Sequence, residues 1–367
     1  MPSLPRAQSA YEAIERITRT GLPAQEMLDE VVRRIDRVVP SDGCFVGATD
    51  PETTLCIGLG VVRDLPDDMC QPTWNYEFLV PDYLKFVEIA ASGRAVADLH
   101  EATGGRPERS PRWREYGAAT GFRHELRAAF TAGGAAWGVG QFDRLGDAPR
   151  YSDDEKAWLE RVAPLVGRGL RRALVAQPAP TAADRGPGIV LLDPAGDVVS
   201  ATHEALAWLA EVDRAVPPGT GGDVAMPFEV HAYAARVRAS DGGDGAGSTP
   251  RARLRTRTGV WLLMHASMLQ GTDRLALVIE PAKASDVAPL IVEAYGLTQR
   301  ELEVTRAIAR GLGTAQIATQ LHLSPHTVRD HVKAVFEKVG VSSRGELVAR
   351  MFAEHYSPPP HPVIAAA

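Results

Sequence analysis

From Leu297 to Leu347 the chain reads LTQRELEVTRAIARGLGTAQIATQLHLSPHTVRDHVKAVFEKVGVSSRGEL, and start and stop signals divide it into three short helices. Thr298 followed by Glu301 has the spacing of a capping box, which predicts a helix from about Gln299. Gly311 and Gly313 are expected to end it, because glycine enters the left-handed conformation of a C-cap without steric cost. Thr314 is the expected cap of a second helix, whose Ile317, Ala318 and Leu321 share one face. After a tight turn at His322-Leu323, Ser324 caps a third helix with Pro325 in the first helical position.

The third helix narrows the choice further. Val328, Val332, Val335, Phe336 and Val339 recur at i, i+4, i+7, i+8 and i+11, a single buried stripe. His326, Arg329, Asp330 and Lys333 fall off that stripe and are expected to point outward. Two helices joined by a tight turn, the second presenting polar side chains near its start, form helix-turn-helix geometry. Such a helix fits the DNA major groove, where Arg and Lys donate to guanine O6 and N7.

The stretch resembles the DNA-binding domain of LuxR/FixJ-type transcriptional regulators. The matching residues are Leu297-Thr298-Gln299-Arg300-Glu301, Ile317-Ala318-Thr319-Gln320-Leu321 and Thr327-Val328-Arg329-Asp330-His331, continued by Lys338-Val339-Gly340-Val341 and Arg344. The resemblance implies that Arg329, Asp330 and Lys333 face bases or nearby phosphates, with His326 beside them. It places Thr314, Thr327, Lys338 and Arg344 against the DNA backbone. At Thr305 the family pattern more often has a large apolar residue. The resemblance also implies a homodimer on a pseudo-palindromic operator, with the helix after recognition, about 345–355, supporting the pairing.

The formal charge of −6 runs against DNA binding until it is divided along the chain. Residues 1–178 hold 22 Lys+Arg against 26 Asp+Glu, 179–289 hold 10 against 13, and 290–367 hold 8 against 7. The acidic front repels DNA and the terminal segment is near neutral, so affinity should depend on a local cluster and on pairing. No apolar run reaches membrane-span length and no secretory leader is legible, which predicts a cytoplasmic protein with no membrane partner. The cysteines Cys44, Cys56 and Cys70 lack metal or disulfide spacing, so no structural metal is expected.

The chain before Leu297 reads as two α+β units. Residues 1–176 show two helices broken at Gly21-Leu22-Pro23, short strands at Cys44–Ala48 and Thr54–Leu59, and a helix at Tyr83–Ala91. An extended Ala95–Asp98, a hairpin turning at Gly133-Gly134 and a long helix from Asp153 containing Pro164 follow. Their order, with Ala97-Asp98-Leu99, Gly104 to Ser110 and Trp137-Gly138, resembles a GAF-type sensory domain ahead of LuxR-type modules in actinobacterial regulators. Residues 177–188 read as a Pro-rich linker. Residues 189–284, two strands, helices and a three-stranded meander, resemble a PAS domain, with a low-complexity loop at Asp241–Thr249. Residues 290–356 are the helix-turn-helix unit and 357–367 a disordered tail.

No phosphate loop, nucleophile elbow or metalloprotease helix occurs, so no enzyme, no catalytic residue and no cofactor are expected. An unknown small-molecule ligand is the expected signal, and Cys70, Trp74, Tyr76, Phe78 and Trp137 are the candidate lining because pockets are mostly apolar. The expected function is a sequence-specific DNA-binding regulator. Two alternatives stand beside it: a sensory scaffold that binds protein rather than DNA, and a redox sensor using Cys44, Cys56 or Cys70.

Overall fold

The computed structural model describes residues 4–65, 70–117, 120–176, 185–212, 226–241 and 251–350. Most of the 177–188 linker, nearly all of the 241–249 loop, the end of the 345–355 helix and the 357–367 tail lie outside them.

The first unit opens with helices α1 (Leu4–Ile17) and α2 (Ala24–Asp36), then strands β1 (Gly43–Thr49) and β2 (Cys56–Arg63). Helices α3 (Cys70–Phe78) and α4 (Phe86–Ala91), strand β3 (Val96–Asp98) and helix α5 (Leu99–Ala102) follow, then a π-helical turn at Trp113–Gly117. Strands β4 (Phe122–Ala132) and β5 (Ala135–Leu145) form the expected hairpin, and α6 (Asp153–Ala176) closes the unit. The sheet is antiparallel throughout, in the order β2-β1-β5-β4-β3.

Helices α1, α2 and α6 cover one face of this sheet. Leu28, Val31, Ile35, Leu159, Val162 and Val166 pack there on Val46, Leu126, Phe130 and Phe142. Each such side chain, fully buried, contributes about 1.5–3 kcal/mol. Pro164 sits inside α6 without ending it. Close approach is possible because Gly167 lacks a side chain: a Cβ there would lie 2.6 Å from the Thr131 carbonyl oxygen.

The second unit holds β6 (Gly188–Leu192), β7 (Val198–Ala201), α7 (His203–Val212), α8 (Phe228–Asp241), β8 (Ala252–Arg255), β9 (Trp261–Met268) and β10 (Leu275–Pro281). Its antiparallel sheet runs β7-β6-β10-β9-β8. The strands follow the sequence reading, with the two strands, the helices and the meander in that order.

One apolar cluster spans the two units. Phe45, Leu55, Trp74, Phe86 and Val139 of the first join Trp208, Val230, Tyr233, Leu254 and Leu277 of the second. At this seam Gly58 (φ +84°) leaves room for the Arg255 carbonyl, which would be 2.6 Å from an added Cβ. Helix α9 (Ala284–Ala294) leaves the second sheet and buries Val287, Leu290, Ile291 and Ala294 in the core of the first unit. Tyr295 packs against that core and also against the terminal helices, α10 (Gln299–Ala309), α11 (Thr314–Leu321), α12 (Pro325–Val339) and α13 (Arg344–Val348).

Helix α3 carries no helical periodicity in its apolar residues, so nothing local in the sequence marks it. The charges on β4 are buried: Glu125 and Arg127 pair across the strands with Asp143 and Gln141. Their face is covered, so burial required partners rather than water.

Candidate DNA-binding interface

The terminal helices are held by their caps. Thr298 Oγ1 accepts from the Glu301 N–H at 3.3 Å, and Glu301 Oε2 accepts from the Thr298 N–H at 2.6 Å, the reciprocal box the spacing predicted. Gly311 (φ +81°) turns the chain after α10. The cap of α11 differs from expectation. Gly313 is the N-cap, its N–H donating to Gln316 Oε1 at 2.8 Å, and Thr314 is the first helical residue. His322 takes the left-handed conformation (φ 53°, ψ 45°), which lets α12 start within two residues. Ser324 Oγ then accepts from the Thr327 N–H at 3.0 Å, with Pro325 in the first turn.

Burial follows the stripe. Val328, Val335 and Val339 are buried with Val304, Ala307, Ile308, Ile317, Ala318 and Leu347, while Val332 and Phe336 are half-buried against them. Thr305 is buried where an apolar residue is commoner, and its hydroxyl is satisfied by donating to the Glu301 carbonyl at 2.8 Å.

The opposite flank of α12 is exposed. His326, Arg329, Asp330 and Lys333 all lie in water. His326 Nδ1 stands 2.9 Å from Asp330 Oδ2, and Lys333 Nζ is 4.0 Å from Glu337. Arg329 has no ion-pair partner among the described residues. Arg329 and Lys333, one turn apart, present two cations on one edge.

The remaining four predicted contact residues are engaged within the protein. Arg344 donates from Nη1 to the Leu312 carbonyl at 3.0 Å and from Nη2 to Thr314 Oγ1 at 2.8 Å. Thr327 Oγ1 shares a hydrogen with Ser324 Oγ at 2.8 Å. Lys338 Nζ donates to Glu301 Oε2 and to the Gly296 carbonyl. These bonds fix the attitude of the helices, which the spacing of residues could not reveal.

A family model described as bacterial regulatory proteins, luxR family, matches residues 296–351. This terminal segment is a LuxR-family domain. It is 46% identical over 56 residues to the transcriptional regulatory protein UhpA of Escherichia coli, covering 15% of this chain and 29% of UhpA. Over 67 residues it is 42% identical to the probable transcriptional regulatory protein NarL of Mycobacterium tuberculosis, 18% of this chain and 28% of that one. The chain therefore spans under a third of the length of these two relatives. The probable transcriptional regulatory protein SgaR of Hyphomicrobium methylovorum matches 163 residues at 28% identity, 42% of this chain and 74% of SgaR. Among solved structures, a GAF domain from a Coxiella burnetii phosphoenolpyruvate-protein phosphotransferase covers 46% of this chain and 94% of that chain, at a TM-score of 0.33 and 16% identity. SdiA in complex with octanoyl-rac-glycerol covers 98% of this chain and 100% of that chain, at 0.34 and 14%. Scores at this level do not bear on the LuxR-family assignment, which stands on the sequence match.

Of the residues put forward as ligand lining, Trp74 and Phe78 lie in the apolar cluster at the seam and Trp137 in the core of the first unit. Trp74 is buried in the seam, edge-on to Phe45 at 6.4 Å and Phe228 at 4.5 Å and stacked on Phe78 at 5.9 Å. Tyr76 hydrogen-bonds Glu115 and meets Tyr116 edge-on. Trp137 belongs to the other core, its Nε1 donating to the Ala132 carbonyl at 3.0 Å. Cys70 opens α3, but its side chain lies outside the described residues.

What sequence reasoning missed is a buried polar network under α3 and α4. Arg112 donates to Asp82 at 3.1 Å and to Glu125 at 2.7 Å, and Arg127 donates to Glu77 at 2.8 Å and Gln141 at 2.9 Å. Gln141 in turn donates to Asp143 at 2.9 Å. Burial, with Glu125 nearby, pushes the Asp143 carboxyl up to about 8. The signal was the pairing of opposite charges two residues apart on one strand face.

Proposed function

We propose that this chain is a sequence-specific DNA-binding transcriptional regulator that docks as a homodimer on a pseudo-palindromic operator. The supporting observation is the exposed flank of α12, where Arg329 has no ion-pair partner among the described residues and stands beside Lys333, while Val328, Val335 and Val339 behind it are buried. Arg329, Asp330 and Lys333 then face bases or nearby phosphates and His326 flanks them. Thr314, Thr327, Lys338 and Arg344 orient the helix and reach the backbone only at their exposed edges. The names of UhpA, NarL and SgaR favour regulation over enzymatic activity.

In this reading residues 1–176 are a GAF-like and 189–284 a PAS-like sensory domain, 290–356 the DNA-binding domain, and the whole works in the cytoplasm of an actinobacterial cell. Among the described residues no helix is long and apolar enough to cross a membrane. A small molecule sensed in front alters the spacing of two terminal domains, to which half-sites a helical turn apart are sensitive. A redox signal through Cys44 or Cys56 is disfavoured: burial pushes the Cys44 thiol up to about 11 and the Cys56 thiol well above its ordinary value, so neither forms the reactive thiolate.

Selection of bound duplexes from a random pool with the full chain tests the proposal. Enrichment of a two-fold symmetric motif is the expected result. Recovery of no motif, with binding equal for all sequences, would refute it.

A further inference from the structure

Two imidazoles meet in the first unit. His100, on α5, and His124, on β4, bring Nε2 and Nδ1 to 2.8 Å, with ring centroids 4.9 Å apart. Their other neighbours fix where the protons sit. His124 Nε2 lies 2.9 Å from the Ala148 carbonyl, and His100 Nε2 lies 3.2 Å from the Arg123 carbonyl. A carbonyl only accepts, so each neutral ring carries its proton on Nε2. His124 Nδ1 is then the acceptor of the bond from His100. His100 Nδ1 is left bare, buried and without a partner among the described residues.

One more proton has two seats, and neither fits. On His124 Nδ1 it would face the His100 N–H head-on across 2.8 Å. On His100 Nδ1 it would make a buried N–H with no acceptor, which burial penalises. The surrounding charges do not offset this. Asp98, at the β3–α5 junction, spends Oδ1 on the Glu101 N–H at 3.0 Å, and Glu101 itself is paired with Lys156. Glu125 accepts from Arg112 and Arg127, and Asp143 accepts from Gln141. From the other side come cations: Arg150 of the 146–152 loop, and Arg144, which is opposite His124 on β5 and paired with Glu155. Burial, His100 and Arg150 hold the His124 imidazole below its ordinary value, against the Ala148 bond and Asp98.

Of the three parts joined here, the loop is the least constrained, because β4 is paired on both sides and α5 is capped by Asp98. We propose that the His100–His124 pair is an acid-operated latch on the 146–152 loop: uptake of one proton turns the rings apart and releases the Ala148 carbonyl from β4. The stability this latch contributes is present above the unfolded histidine value of 6.5 and is lost as pH falls through the lower folded value of His124. Helix α6 starts where the loop ends and shares its core with α9, the helix leading into the LuxR-family domain. Any effect on DNA rests on the DNA-binding reading; the latch itself does not.

The test is hydrogen exchange of the full chain, without DNA, read on the 146–152 loop from about pH 7.5 to about pH 5.5, where histidine is the side chain that ordinarily titrates. Protection of the loop should fall at least about threefold beyond the change in intrinsic exchange rate. In the doubly substituted His100→Gln, His124→Gln protein the amides keep the donors and acceptor of the pair but take no proton, so protection should stay level. A native loop whose protection does not change, or a variant that loses as much, overturns the proposal. Should the variant fail to fold, nitrogen-15 spectra of the native histidines decide. Both rings must be Nε2–H at about pH 7.5, and an Nδ1–H form of either one overturns the latch.

Discussion

Lys338 Nζ lies 2.6 Å from Glu301 Oε2, joining the last turn of α12 to the first turn of α10. The same nitrogen donates to the Gly296 carbonyl at 3.1 Å, at the point where the chain enters the LuxR-family domain. Glu301 serves twice, because its carboxylate also closes the capping box on Thr298. Burial pushes this carboxyl upward, but the bonds from Lys338 and Thr298 outweigh it and hold it below the usual range.

Glu301→Ala removes a cap and an ion pair together, so it should destabilise the terminal helices by about 1–2 kcal/mol. Lys338→Ala, at a partly exposed pair, should cost less, at most about 1 kcal/mol. The stabilisation from Glu301 is present above the unfolded carboxyl's pKa and is lost as pH falls through the lower folded value. Urea unfolding of the full chain and both variants checks the order; equal losses would show that the cap does not contribute.

Arg329→Ala should weaken operator binding by about 1–3 kcal/mol and relax sequence preference if the guanidinium reads a base. Lys333→Ala should reduce the salt dependence of binding if its ammonium meets phosphate. Competition binding against selected and scrambled duplexes at several salt concentrations separates the two roles. A uniform loss for Arg329→Ala across all sequences would assign it to the backbone.

Arg127 is fully buried and paired with Glu77 and Glu125. Truncating one partner of a buried ion pair leaves a carboxylate without compensation, so Arg127→Met should destabilise the first unit by about 3–5 kcal/mol. Denaturant unfolding followed by circular dichroism measures it. A cost under about 1 kcal/mol would mean that water reaches the network.

Asp143 has the opposite linkage. Its folded pKa is raised to about 8, so the native state keeps a proton that the unfolded chain releases above about pH 4. Its contribution therefore falls as pH rises from about 4 to 8. Asp143→Asn removes that loss, and the variant should gain steadily on the native chain as pH rises from about 4 to about 8. Parallel stability curves for the two proteins would show that Asp143 is ionised in the fold.

The sequence by itself determined the terminal helices, because their caps, turns and valine stripe are local: residues within four positions decide each one. It also determined the strand order along the chain, since hairpin turns such as Gly133-Gly134 are local signals. Only the tertiary structure decided what the charged side chains do. Glu125 and Arg127 alternate like a solvated strand face, yet they are buried because α3 and α4 cover them, and that cover is set by contacts distant in sequence. Lys338 and Arg344 match a DNA-contact pattern, but Glu301 and Thr314, each at least thirty residues away, occupy them. The aromatics at Trp74 and Phe78 were legible as apolar and not as a seam, because the strand and helix they pack against come from both units. Periodicity records which face of an element avoids water; which partner covers that face depends on how distant elements meet.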